Sequence, residues 1–169
     1  MSDITIKEAY GQALKALGAE MKDLVVLESD VGSSTRSILF GQQYPERYFN
    51  LGIAEANMCA VAAGFAAAGK VAFVNTFAVF MTTRALDPVT SLIAYPNLNV
   101  KLAASYAGLS DSYDGATHNS VSDIAIARSI PNLSVVCVSD AVKTAWATKA
   151  VAKLNGPLYP RLSRAALPD

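Results

Sequence analysis

One histidine and two cysteines are the only imidazole and thiol groups in this 169-residue chain. Cys59 and Cys137 lie far apart in apolar surroundings, so neither a zinc motif nor a disulfide framework is present, and both read as buried hydrophobes. Charge is scarce as well: 17% of residues, 14 basic against 14 acidic, with no basic run and no basic-aromatic stripe. That balance excludes nucleic acid and anionic membrane surfaces as natural partners. The longest apolar run, Met58 to Ala68, is far below the ~18 residues a membrane span needs. The start, MSDITIKEAY, has neither the basic region nor the apolar core of an export signal, and the chain reads as cytosolic. There is no internal repeat, no low-complexity stretch and no dividing linker, so residues 1–169 are expected to form one domain.

What the chain does have is apolar surface: 52% of residues are hydrophobic, more than so few charges readily cover, which implies a buried interface. Thr5 and Glu8 stand at capping-box spacing ahead of an amphipathic stretch, predicting a helix over 6–21. It leads into the strand LVVLES. The polar DVGSSTRS that follows reads as a loop at the carboxyl end of that strand, where open α/β sheets place their ligands. A short strand at Tyr48 to Asn50, a small-residue helix from Ala54 to Ala68 ended by Gly69, and the strand VAFVNT come next. Phe77 to Tyr95 predicts a further helix that Pro88 kinks or divides. Then follow the strand NVKLAAS, a loop over 106–121, the helix SDIAIARS, the strand SVVCV, the helix AVKTAWATKAVAKL and a last strand around LYPRLS. Such alternation predicts a three-layer α/β/α domain with a mainly parallel sheet, because each parallel crossover needs a helix to return the chain. Pro160 cannot donate to a ladder, which points to an edge strand or an interrupted pairing.

Chemistry is sparse and concentrated at strand ends. Glu55 is a carboxylate in FNLGIAEANMCAVAAGFAAAG, where nearly everything after it is small or apolar. It reads either as an acid in the first turn of a helix, attracted by the macrodipole, or as a desolvated group that needs a specific partner. His118 sits among hydroxyls and a glycine turn rather than on an apolar face, so it is either solvated or functional. Asp114 with Gly115 is a common turn or a ligand. Phe77 and Phe80, three apart, share a helix face that packs in a core or stacks on a flat ligand. DGATHN is not a diphosphate-metal signature, and no phosphate-cradling loop or metal cluster is found.

Taken in order, FNLGIAEANM, then NTFAVF with RALD, then DGATHN with DIAIARSIPN, and a terminal LSR resemble the pyrimidine-binding domain of transketolase, over essentially the whole chain. The resemblance implies thiamine diphosphate as cofactor. This domain would hold the aminopyrimidine ring, while a separate chain holds the diphosphate and its magnesium or calcium ion. By that resemblance Glu55 bonds ring nitrogen N1′ and favours the tautomer whose N4′ takes the proton from thiazolium C2. Phe80 stacks on the pyrimidine with Phe77 beside it, and Asp30 lies near the cofactor. His118 and Asp114 bind hydroxyls of a donor sugar, and His118 also moves a proton at the substrate oxygen. Ser34, Arg164 and Lys7 match positions that contact the phosphate of sugar phosphates.

Lys7 stands where the family usually has arginine, so a point charge replaces a bidentate fork. The family's diphosphate-binding domain is absent from the sequence, which stops where a third domain would follow. The resemblance therefore implies one subunit of a split transketolase, inactive alone, with a homodimer core inside a hetero-oligomer. Its activity would be transfer of a two-carbon ketol unit from a ketose (phosphate) to an aldose (phosphate). Alternatives are another thiamine enzyme, such as a deoxyxylulose-phosphate synthase or a 2-oxoacid dehydrogenase β-type chain, and a non-catalytic assembly module.

Overall fold

The structure, a computed structural model, describes residues 4–111 and 113–165. Helix α1 (Ile6–Glu20) begins at Thr5, whose Oγ1 accepts the Glu8 N–H at 3.3 Å. Its buried Ile6, Tyr10, Leu14 and Leu17 recur every three or four residues and form one stripe. The strands are β1 (Leu24–Glu28), β2 (Tyr48–Asn50), β3 (Val71–Phe77), β4 (Val100–Ser105), β5 (Ser134–Cys137) and β6 (Leu158–Arg161). They form one sheet, ordered β2-β1-β3-β4-β6-β5, with every pairing parallel. β1, β3 and β4 are buried along their full length, as the inner strands of a sheet covered on both faces must be.

Alternation along these strands sorts the core in two. Leu24, Val26, Val71 and Phe73 pack with Tyr10, Leu14 and Leu17 of α1 and with Val151 of α8 (Ala141–Lys153). Val25, Leu27, Ala72 and Val74 pack on the other face with Met58, Cys59 and Ala62 of α4 (Glu55–Ala67) and Ala127 of α7 (Asp123–Ser129). Three layers result.

Three local expectations are revised and one alternative is decided. The helix expected over 77–95 is divided, but not at Pro88. β3 runs on through Phe77, α5 (Ala78–Thr82) ends at Thr83 with φ −115° and ψ −84°, and α6 (Leu86–Pro88) passes into a π-helical turn, Val89–Ala94. Residue i−4 of Pro88 is Arg84, which lies outside any helix, so the ring meets no helical carbonyl. Pro160 is not on an edge: β6 lies between β4 and β5. The interruption is real, however, since β6 keeps register with β4 only at Lys101–Leu158 and Ala104–Arg161, on either side of Pro160. Cys137 is exposed rather than buried because β5 is itself the edge strand, whereas Cys59 is buried. The loop expected over 30–37 contains one short helical turn, α2 (Gly32–Thr35), and a further helix, α3 (Ile38–Gln43), follows it.

Candidate functional site

From β1 the chain leaves to β2 on one side, and β3 then takes the place on the other side, so the sheet's switch point lies between β1 and β3. Open parallel sheets bind ligands at the carboxyl ends of strands beside such a point. Here a cavity of about 310 Å³ is lined by Ser29, Asp30 and Val31 after β1, Ile53 and Glu55 after β2, Phe77, Phe80 and Arg84 at the end of β3, and Thr117 and His118 after β4. Two non-glycine residues at these strand ends hold left-handed backbones, Asp30 (φ 61°) and Tyr106 (φ 58°). Such conformations persist only where surrounding structure enforces them. The Asp30 carboxylate accepts a hydrogen bond from Asn50 Nδ2 at 3.0 Å, and Asn50 Oδ1 accepts the Gly52 N–H at 2.8 Å. One asparagine thus ties the β1 loop to the turn that delivers Glu55.

Glu55 opens α4 and is 2% exposed. The helix dipole favours its charge there. Among the described residues its Oε2 has no hydrogen-bond donor, and the cation paired with it, Arg84 Nη1, is 3.7 Å away. A buried carboxylate oxygen left without a donor costs free energy unless something else supplies one. Beside it stands an aromatic wall. Phe77 stacks on Phe80 (centroids 5.6 Å, interplanar 22°) and on Tyr106 (4.3 Å, 17°). His118 sits edge-on to Phe80 at 5.1 Å and to Phe77 at 6.0 Å, its Nδ1 3.0 Å from Thr117 Oγ1. A donor-starved carboxylate next to flat aromatic faces suits a planar, nitrogen-bearing ring that can donate to the acid and stack on the wall.

Tyr106 carries the cavity outward to the basic residues. Lys7 Nζ lies 5.8 Å and the Arg164 guanidinium 5.3 Å from its ring centre, and Arg164 also lies 5.0 Å from the ring of Tyr113. Arg164 Nη1 donates to Asp111 Oδ1 at 3.2 Å. Asp111 is fully buried, and burial together with the neighbouring Asp114 pushes its carboxyl above the usual range, against the pull of Arg164. Asp114 is exposed beside it. Of the residues singled out in the sequence, Asp30, Glu55, Phe77, Phe80 and His118 line one cavity; Lys7 and Arg164 converge on Tyr106, and Asp114 adjoins Asp111. Ser34, in α2, lines none of this wall.

Residues 2–169 match the family model described as Transketolase, pyrimidine binding domain. The chain belongs to this family. A Methanocaldococcus jannaschii protein named "Putative transketolase C-terminal section" is 42% identical over 159 residues, covering 94% of this chain and 50% of that protein. The 6-deoxy-6-sulfo-D-fructose transketolase subunit SqwH of Clostridium sp. (strain MSTE9) is 36% identical over 159 residues, covering 94% of this chain and 49% of that one. Among solved structures, "Split gene transketolase, inactive beta4 tetramer" superposes with a TM-score of 0.87 at 43% identity, over 98% of this chain and 53% of the other. The chain spans about half the length of these relatives. Membership of the transketolase family implies thiamine diphosphate as the cofactor, and the aminopyrimidine is a ring of the kind the cavity suits.

Three residues of the site carry no signal of it in the sequence. Arg84 stands within RALD, and nothing in that string shows that the chain breaks at Thr83 and turns the guanidinium over Phe80, 3.9 Å from its centre. Tyr106 opens a loop and becomes a platform only through its left-handed backbone. Asp111 looks like one more loop acid until Arg164, 53 residues later, is folded against it.

Proposed function

We propose that this chain forms one unit that supplies the pyrimidine half of a transketolase site. A second chain supplies the diphosphate half, with its magnesium or calcium ion. The proposed reaction transfers a two-carbon ketol unit from a ketose, or its phosphate, to an aldose. The observation that carries this reading is Glu55 Oε2: a buried acceptor without a donor, at the foot of an aromatic wall, in a family that uses thiamine diphosphate.

Each side chain then has a task. Glu55 would hold the ring at N1′, sharing a proton with that nitrogen and so favouring the imino tautomer, in which the N1′–H donates to the carboxylate. Phe80 and Phe77 fix the ring plane, so that orientation is established before substrate arrives. Asp30, held by Asn50, borders the same cavity. With its Nδ1 taken by Thr117, His118 offers Nε2 to an oxygen of the donor sugar and can pass it a proton. Asp114 accepts from a donor hydroxyl. Lys7 and Arg164 form the anion end, with Arg164 kept in place by Asp111 and the Tyr106 ring. When bound, the cofactor supplies the chemistry that makes and breaks a carbon-carbon bond beside a carbonyl; the protein orients and tunes it.

Ile53 lines the cavity yet is 76% exposed, so the cavity is open on that side. A second chain would close it, and pairing of two copies of this chain inside a larger assembly fits the low surface charge. Mixing the purified chain with a diphosphate-domain subunit should give ketol transfer that Glu55→Ala abolishes, while a screen of ketose against pyruvate donors should favour ketoses. Full activity in the Glu55→Ala mixture, or in this chain alone, contradicts the reading. Light scattering should show an assembly; a strict monomer with and without the partner would contradict that part.

A further inference from the structure

Arg84 makes two contacts at once. Its guanidinium lies 3.9 Å from the centre of the Phe80 ring, at stacking distance, and its Nη1 lies 3.7 Å from Glu55 Oε2. These are the two contacts that the proposed reading assigns to the aminopyrimidine: a flat group on Phe80 and a nitrogen donor toward Glu55. Guanidinium is itself planar, delocalised and nitrogen-bearing, and it stacks on aromatic faces. It is also the cation paired with Glu55 among the described residues.

We infer that Arg84 stands in for the aminopyrimidine ring while the site is empty, screening the buried Glu55 carboxylate and covering Phe80, and that cofactor binding requires its displacement. The inference rests on the thiamine diphosphate reading above. Two features make displacement feasible. At 3.7 Å the pair is an ion pair without a hydrogen bond, so Oε2 remains free to accept one. Arg84 also sits in the break between α5 and α6 with its side chain 49% exposed, so water can take over the guanidinium as it leaves. Arg84 thus stabilises the empty site and opposes its filling, acting as an internal competitor and not as a ligand of the cofactor.

Two measurements test this. First, a double-mutant cycle on the stability of the free chain, by denaturant melts of Arg84→Gln, Glu55→Gln and the double variant, should be non-additive. Arg84→Gln should lower the folding equilibrium constant about threefold or more further where Glu55 is present than where Glu55→Gln has removed the charge, since the loss of the Phe80 stack is common to both backgrounds. Second, calorimetric titration of thiamine diphosphate into the chain reconstituted with its diphosphate-domain partner should give a Kd about 3- to 10-fold tighter for Arg84→Gln than for wild type, with Arg84→Lys between them, since lysine keeps the charge and loses the flat stack. An additive cycle overturns the pairing. Unchanged or weaker binding by Arg84→Gln overturns the competition while leaving the cofactor reading intact. A wild-type pair that fails to bind thiamine diphosphate overturns both.

Discussion

Replacing Tyr106 by leucine removes a ring that joins the two ends of the site while keeping most of its apolar bulk. In the structure the ring is 6% exposed and stacks on Phe77 at 4.3 Å, with Lys7 Nζ at 5.8 Å and the Arg164 guanidinium at 5.3 Å from its centre. A stacked aromatic pair is worth about 0.5–1.5 kcal/mol beyond its buried area. Each cation contact lies near the outer limit of its range and adds about 0.5 kcal/mol at these partly exposed positions. Tyr106→Leu should therefore destabilise the chain by about 1.5–2.5 kcal/mol. No hydrogen bond of the hydroxyl enters this reasoning, so Tyr106→Phe should stay within about 0.5 kcal/mol of wild type. The assay is equilibrium unfolding in urea, read as a change in midpoint at constant slope. In the reconstituted enzyme the leucine variant should also raise KM for a phosphorylated donor more than it lowers kcat, because Lys7 and Arg164 lose their backing. A leucine variant as stable as wild type, or a phenylalanine variant that loses as much as leucine, refutes the reasoning.

Two further outcomes follow from the scaffold. Lys101 is fully buried in β4, its Nζ donating to the Leu154 and Gly156 carbonyls at 2.6 and 2.8 Å, and burial pushes its pKa down to about 8. Below that pH the ammonium is charged in both folded and unfolded chains; between there and the ordinary lysine value near ~10.4 the unfolded chain binds more protons. Stability should accordingly rise by about 1–3 kcal/mol across that window relative to Lys101→Met, whose curve removes the contribution of other titrating groups; parallel curves would contradict this. Gly11 of α1 is crowded: a Cβ there would come within 2.6 Å of the Arg36 carbonyl oxygen and 2.7 Å of Arg36 Cβ. Gly11→Ala should cost about 1–3 kcal/mol in a denaturant melt despite alanine's better helix propensity, and a neutral or stabilising result would show that the backbone at Arg36 yields freely.

Much of the fold is legible in the sequence because its signals are local. The Thr5 cap, the two-residue alternation that divides Val25 and Leu27 from Leu24 and Val26, and the order of strands and helices are all carried by neighbours in the chain. What the sequence conceals depends on distant partners. Pro160 on its own leaves an edge strand and an interrupted pairing both open, and the broken β4–β6 register decides for the second. Helical periodicity runs through Thr83, where the backbone in fact breaks. The site divides the same way. Glu55, Phe77, Phe80 and His118 stand out by residue type at strand ends. Arg84, Tyr106 and Asp111 gain meaning only when a chain reversal or a left-handed residue brings them to the wall.

Whether Glu55 and the Phe77–Phe80 wall hold an aminopyrimidine ring is decided by a crystal structure of this chain with its diphosphate-domain partner and thiamine diphosphate. N1′ should lie within about 2.6–3.0 Å of a Glu55 oxygen, with the ring stacked on Phe80 and the Arg84 guanidinium swung away. A ring bound elsewhere, or one in the cavity with Arg84 still over Phe80 and Glu55 unbonded to it, would rule out these roles for Glu55 and Phe80.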